Sequence, residues 1–361
     1  MKFDFGKLRA DWKQLTDMKK EEVAGLDVGS SSVKLVQLKS GVGGYVATAA
    51  CKIDIGITDH DDERARAAKT IATIKMCFER SKIESKQMVC GVCGPEVAVR
   101  PFSFPTLPPE ELGQAIMLEA EQVCPFDPAK NILVYQLMKT ADVHSEQESS
   151  DMKGVLVAAT HEVVRGKTHL VSNASLNCAL MDIDGLALVN CFNRTEHRKA
   201  GQTTALLNVG HTLTNLVIVN DRKLPFIRDI AHGGSQIIEH IAAERALTLE
   251  AAAQAVIDGG DNRVIKALGQ GAAKLISEIN ETLRYYMSEQ RLQSIDKVYV
   301  CGGFSLVKGF VEVLNRQISS GASLWNPFDN IGRLPEAEGL EILQTSGPAF
   351  AVAAGLAMRS I

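Results

Sequence analysis

The stretch AGLDVGSSSVKLVQL, from Ala24 to Leu38, decides the fold because the chain contains it twice. The second copy is ALLNVGHTLTNLVIV, from Ala205 to Val219. Aligned without gaps, the two share Ala, Leu, Val, Gly, Leu and Val. Each reads as an apolar strand, a polar turn with glycine, and a second strand rich in apolar and β-branched residues. The copies lie about half the chain apart, which predicts a duplicated architecture with one hairpin per half.

The turn chemistry suggests a purpose. In Asp27-Val28-Gly29-Ser30-Ser31-Ser32 the glycine permits a tight backbone, and amides and hydroxyls converge on an anion. The second turn offers Gly210 and Thr212. Two such hairpins facing each other would clamp a phosphate chain; two ordinary β-hairpins are the plainer alternative. Lys297–Val300 reads as a buried strand, followed by Cys301-Gly302-Gly303-Phe304-Ser305 and a helix over Leu306–Ile318. Strand, glycine pair and helix let a nucleotide approach the backbone. A fourth element, Ala231-His232-Gly233-Gly234-Ser235, precedes a helix over Gln236–Arg245 and is expected to aim helix N–H groups at the same ligand.

Outward from these motifs, composition sets limits. The chain has 361 residues, 45% hydrophobic and 23% charged, with a net charge of −4. That length holds two domains, and that charge gathers no nucleic acid. No apolar run approaches the roughly 20 residues of a membrane span, and MKFDFGKLRADWKQ has no signal-peptide core, so the expected location is cytoplasmic. The cysteines sit in apolar surroundings typical of reduced thiols. Cys90 and Cys93, in MVCGVC, fall on opposite faces of a strand, which argues against a shared zinc or redox site. The first 20 residues form an amphipathic segment carrying Phe3, Phe5, Leu8, Trp12, Leu15 and Met18. It suits either a lipid or partner surface or a strap on its own domain.

Residues Pro109–Gln122 predict a helix with proline at its start, acids in its first turn and Leu112, Ile116, Ala120 and Val123 on one face. Thr140–Lys153 reads as a polar hairpin tip, and Glu278–Arg291 as a helix with Ile279, Leu283 and Tyr286 in the core.

The four glycine elements, in this order, resemble the phosphate-1, phosphate-2 and adenosine motifs of the actin-like ATPases. The run from Pro105 to Phe126, with EAEQ at Glu119–Gln122 and Pro125-Phe126 after it, is similar to a signature of the PilM family of type IV pilus assembly proteins. Tyr135-Gln136, Val155–Thr160, Met181–Leu188, Arg228-Asp229-Ile230 and Asn326-Pro327-Phe328 extend the resemblance over roughly residues 22 to 358.

The resemblance implies an α/β fold with duplicated actin-like (ribonuclease H-type) domains and an inserted α+β subdomain, 1C. The implied division is an N-terminal segment 1–20, subdomain 1A over 21–91 and 345–361, subdomain 1C over 92–195, and domain 2 over 196–344. Implied ligands are ATP or ADP with Mg2+, touching Asp27, Gly29, Ser30, Ser31, Ser32, Lys34, Gly210, Thr212, Gly233, Gly234, Gly302, Gly303 and Phe304, with Asp27 as the metal residue. Lys34 reaches a phosphate or stays a solvated strand residue. The implied partner is the cytoplasmic N-terminal tail of a PilN-like inner-membrane protein, bound between 1A and 1C at the inner face of the inner membrane. Self-association is a second expected contact.

Three positions depart from the family pattern: Asn208 where aspartate opens the second phosphate motif, Val256 where a lysine lies near the nucleotide, and Phe304 where a third glycine stands. Candidate catalytic groups are therefore reduced to Asp27, Asp184 and Asn208, with Asp182 expected to cap a turn, and hydrolysis is expected to be weak or lacking. The competing expectations are an active ATPase or small-molecule kinase, and a polymerising FtsA-like protein.

Overall fold

The computed structural model describes residues 23–41, 43–58, 60–137, 151–221, 223–259, 262–334 and 339–359. The N-terminal segment and most of the polar stretch 140–153 lie outside them.

The first repeat begins a meander. β1 (Ala24–Val28), β2 (Ser32–Gly41) and β3 (Gly44–Asp54) pair antiparallel. Helix α1 (Glu63–Ser81), whose first turn is capped by the Asp62 carboxylate accepting from the Ala65 amide at 2.7 Å, leads to β4 (Gln87–Val92). β4 lies parallel to β1 on its other side. The chain then leaves to build a small unit: β5 (Val97–Phe104), α2 (Pro109–Val123), β6 (Ile132–Leu137) and β7 (Met152–Ala159). These strands form a separate sheet in the order β5-β7-β6. Leu112, Ile116 and Ala120 are buried on α2, as the periodicity predicts, and Leu112 and Ile116 pack on Phe102 and Leu156. Helix α3 (His161–Asn173) returns to β8 (Asn177–Ile183), which pairs parallel with β4, and α4 (Asp184–Thr195) follows.

The second half repeats the plan. β9 (Thr203–Val209), β10 (Thr214–Asn220) and β11 (Lys223–Ile230) form a meander, and β12 (Lys297–Cys301) and β13 (Ala322–Leu324) add parallel strands. Between them run α5 (Gly234–Arg245), α6 (Leu249–Asp258) and α7 (Asn262–Gln290), and α8 (Phe310–Asn315) joins β12 to β13. The sheet orders are β14-β3-β2-β1-β4-β8 and β11-β10-β9-β12-β13, where β14 is Gly332–Arg333, so the duplicated hairpin carries a duplicated sheet.

The central strands are covered on both faces, which explains their nearly continuous apolar sequences. Side chains alternate between layers. Leu206 and Val217 face the core between the two sheets, beside Val89, Leu188 and Phe192, whereas Leu207 and Leu216 face Ile237, Leu268 and Leu275 on the far side. A third core, with Leu26, Leu35, Ile74 and Met88, lies under α1. After α9 (Ile342–Thr345), α10 (Ala351–Ala357) is buried at every position and crosses back onto β1 and α4.

The domain limits differ from those read in the sequence. The separate sheet spans only 97–159; residues 177–195, assigned to the insertion, are a strand of the first sheet and a helix packed on α10. The second sheet ends at Leu324, and Trp325, Phe328, Ile331 and Leu343 join the central core, which both halves share. The helix expected over 306–318 is shortened to Phe310–Asn315, because Gly309 adopts φ +83° before it. The helix expected over 278–291 begins sixteen residues earlier, at Asn262.

Candidate functional site

The two repeated turns meet. The Thr212 hydroxyl donates to the Ser30 hydroxyl at 3.0 Å, across 182 residues of sequence. Each turn is closed in the same way: the Gly29 amide donates to Ser32 O at 3.1 Å, and the Gly210 amide to Leu213 O at 2.9 Å. Ser30 and Ser31 donate their amides to no group among the described residues. An anion at this seam would find these two uncommitted amides beside the paired Ser30 and Thr212 hydroxyls.

Below each turn lies a cross-strand pair. In the first hairpin Asp27 stands opposite Lys34, and Lys34 Nζ lies 3.1 Å from Asp27 Oδ2. In the second, Asn208 stands opposite Asn215, and Asn208 Nδ2 donates to Asn215 Oδ1 at 2.7 Å. The amide pair extends to Asp229, which the sequence reading placed in the family resemblance, within Arg228-Asp229-Ile230, and not among the site residues. Asn215 Nδ2 donates to Asp229 Oδ1 at 2.7 Å, and the Gly94 amide donates to Asp229 Oδ2 at 2.6 Å. Its adjacency depends on the β10–β11 register, Asn215 opposite Asp229, which no linear motif displays.

Asp184, the first residue of α4, lies between Asp27, Lys167, Cys93 and Asp229. Loss of water and the nearby Asp27 charge push its carboxyl up to about 7, against the pull of Lys167. Burial likewise raises Asp229, opposed by its bonds from Asn215 and Gly94. Lys167 Nζ, from α3, donates to Val28 O at 2.7 Å and so holds the end of β1. Asp182, expected to cap a turn, instead forms a half-buried ion pair with Arg359: Nε–Oδ2 is 2.5 Å and Nη2–Oδ1 is 2.9 Å. It accepts from the Ile183 amide as well.

Gly302 needs to be glycine. Its φ is +89°, and a Cβ there would lie 2.5 Å from Val209 O and 2.6 Å from Asn208 Oδ1. Gly303 faces open space. Gly233 and Gly234 are used differently from the sequence expectation. The Gly233 amide donates to Gln236 Oε1, the Gly234 amide to Gly210 O and the Ser235 amide to His211 O. The N-terminus of α5 is therefore spent on bracing the second turn. Phe304 is 7% exposed, packs edge-on against Phe310 and covers Gly234, so its ring belongs to the core. Val256 is 2% exposed in the same core, and a lysine in that orientation would point away from water.

Cys90 lies in the core under α1 while Cys93 borders Asp184. Among the described residues no group of three or more His, Cys, Asp or Glu is arranged to hold a metal ion. Mg2+ beside a nucleotide is commonly held by one or two carboxylates together with the phosphates, and Asp27 lies two residues before Gly29 of the first turn. The seam therefore fits a phosphate chain at Ser30, Ser31 and Thr212, whereas the amides of Gly233 and Gly234 are committed to Gln236 and Gly210 and the Phe304 ring to the core.

Two sheets that share a five-strand order, the first with β14 added at its edge, joined by facing turns and a returning C-terminal helix, define an actin-like fold. The chain shares 10% identity with a diol dehydratase-reactivating factor in nucleotide-free form, at a TM-score of 0.51 over 92% of this chain and 98% of that one. With the ethanolamine utilization protein EutJ from Carboxydothermus hydrogenoformans it shares 13% identity, at a TM-score of 0.52 over 93% and 88%. The particular family is narrower. Residues 25–361 match the family model of type IV pilus assembly protein PilM, and the chain belongs to that family. It is also similar to a solved PilM–PilN type IV pilus biogenesis complex, with 25% identity and a TM-score of 0.80 over 94% of this chain and 99% of that one.

Proposed function

We propose that this chain is a nucleotide-clamped scaffold of a type IV pilus or related envelope machine, holding the cytoplasmic tail of a PilN-like inner-membrane protein. The observation that carries this reading is the similarity, over nearly the whole of both chains, to the PilM–PilN complex. The seam between the inserted unit and the first sheet is the groove for the tail. An extended peptide binds such a groove through main-chain hydrogen bonds and a few apolar anchors. No helix among the described residues is long and apolar enough to cross a membrane. In this reading the tail tethers the chain to the inner face of the inner membrane.

ATP or ADP with Mg2+ acts as a structural ligand, its phosphates between Ser30, Ser31 and Thr212 and its metal near Asp27. Binding stabilises the closed arrangement by mass action. Hydrolysis is weak or lacking, since Asn208 supplies an amide where a carboxylate would orient water. Titration calorimetry of the full chain tests both parts. Saturable binding of ADP–Mg2+ and of a synthetic tail peptide is expected. Binding of neither overturns the reading. Phosphate release at about 1 s⁻¹ or faster would instead make the chain an active ATPase or kinase.

A further inference from the structure

The inserted unit leaves and rejoins the first sheet through two stems, residues 93–96 and the start of α3. The Thr160 amide ties the second to the first by donating to Glu96 O at 3.0 Å, and within the first the Val97 amide donates to Gly94 O at 3.0 Å. Each stem also reaches a different side of the cleft. From the first, the Gly94 amide reaches Asp229 Oδ2 at 2.6 Å, and Asp229 continues through Asn215 to Asn208, on the strand that feeds the second turn. From the second, Lys167 reaches Val28 O at 2.7 Å, immediately before the first turn. Gly94 has φ +111°, a conformation that fixes where its amide points and that a side chain would strain. β5, which starts at the first stem, packs along β11, the strand that carries Asp229.

We propose that Asp229 and Lys167 are positioning residues that couple the nucleotide cleft to the tail-binding groove, one arm from each stem. The inference rests on the function proposed above and adds its regulation. The Gly94–Asp229 bond runs from one half of the molecule to the other, so separation of the halves breaks it. Its donor is a stem of the insertion, so the same separation releases that stem. The Lys167–Val28 bond holds α3, the helix that follows the insertion, to the strand end that sets the first phosphate turn. A ligand that draws the turns together fixes both stems, and through them the groove. By linkage, an occupant of the groove tightens nucleotide binding by the same factor.

The test uses the full chain, ADP–Mg2+ and a synthetic peptide of the PilN-like tail. The affinity for each ligand is measured with and without a saturating amount of the other. The wild type is expected to show a coupling factor of about five-fold or more, equal in both orders. Asp229→Asn leaves one acceptor for the two donors Asn215 Nδ2 and the Gly94 amide, so one of these links is lost, and Lys167→Met removes the second arm. Each should lower the factor, the double variant should bring it near one, and Lys167→Arg should restore it. A factor of one in the wild type, with both ligands bound, overturns the inference alone. So does a wild-type factor in the double variant. Failure of the wild type to bind either ligand overturns the underlying function and the inference together. If the variants do not fold, amide hydrogen exchange on the wild type decides. ADP–Mg2+ should slow exchange at Gly94, Val97 and Thr160, and unchanged exchange there counts against the coupling.

Discussion

Asp27 and Asn208 occupy the same register position in the two hairpins, each directly opposite the residue seven places on, Lys34 in one and Asn215 in the other. The first pair is an ion pair with both side chains largely buried, at 14% and 11% exposure; the second is an amide–amide hydrogen bond. The duplication has thus kept the geometry and exchanged the chemistry. The exchange is consistent around the second pair, because a carboxylate at 208 would face the Asn215 oxygen while Asn215 Nδ2 remains committed to Asp229.

That arrangement predicts a non-additive double substitution. Asn208→Asp alone replaces a donor by an acceptor against Asn215 Oδ1 and should cost about 1–3 kcal/mol. Adding Asn215→Lys places a cation between residue 208 and Asp229, as Lys34 serves Asp27, and should recover most of the loss. Urea unfolding of the four proteins of the cycle measures the coupling; additive effects would show that the pair acts as two independent residues. If charge at 208 is also what hydrolysis lacks, the double variant should release phosphate from ATP faster than the wild type.

The repeated hairpin was legible in sequence because both copies keep strand, glycine and strand in one register. Asp229 was not, since its role depends on the pairing of β10 with β11 and on an amide 135 residues away. Gly233-Gly234 was visible as a motif, but its use was not: the direction of those amides is set by the carbonyls of Gly210 and His211, which lie against them only after β9 and β10 have folded. The end of the insertion was misplaced for a related reason. β8 carries no compositional mark of the sheet it joins, and only its pairing with β4 assigns it.

Asp184 predicts a pH dependence, measured without nucleotide or divalent cation. Its carboxyl is pushed up to about 7 in the folded chain. Below about pH 4 both folded and unfolded states keep the proton. As the pH rises from there, the unfolded chain ionises first, and stability falls until the folded carboxyl also ionises near 7. Asp184→Asn should remove this decline and raise stability at pH 8 by on the order of 3 kcal/mol, allowing for the water that still reaches the site. Urea midpoints for both proteins at pH 5 and pH 8 check it. Equal slopes in the two proteins would show that Asp184 titrates as an ordinary carboxylate.

The ion pair at the C-terminus predicts asymmetric losses. Asp182 is 4% exposed at its side chain, and its charge is balanced by Arg359, which is 35% exposed. Arg359→Met leaves a buried carboxylate whose remaining bond is from the Ile183 amide, and should cost about 3 kcal/mol, the lower end for a broken buried pair because one partner is partly solvated. The double variant Asp182→Asn with Arg359→Met should cost less than Arg359→Met alone. Chemical denaturation decides, and a double variant less stable than the single would show that the pair contributes more than the desolvation it offsets.

Gly355 sets the closest helix approach in the molecule's centre. It lies in α10, where alanine would ordinarily favour the helix by about 1 kcal/mol. A Cβ at this position, however, would overlap the Ala187 carbonyl of α4, a backbone group that cannot rotate aside. Gly25 meets the other side of α10 in the same manner, against the Ala353 carbonyl. The helix is thus held between β1 and α4 at backbone contact, with every residue from Ala351 to Ala357 buried. Gly355→Ala must push α10 away from α4 and open the core around Leu188 and Leu356, so overpacking at the upper end of the usual range, about 3 kcal/mol or more, is expected in spite of the gain in propensity. Because α4 begins at Asp184, the same displacement should move the base of the cleft and weaken ADP binding beyond what partial unfolding accounts for. Thermal unfolding and calorimetry on Gly355→Ala and Gly166→Ala test this together. Gly166, on α3, has open space where its Cβ would go, and its substitution should be neutral or stabilising. Equal stability of the two variants would mean that the contact between α10 and α4 is looser than its backbone spacing implies.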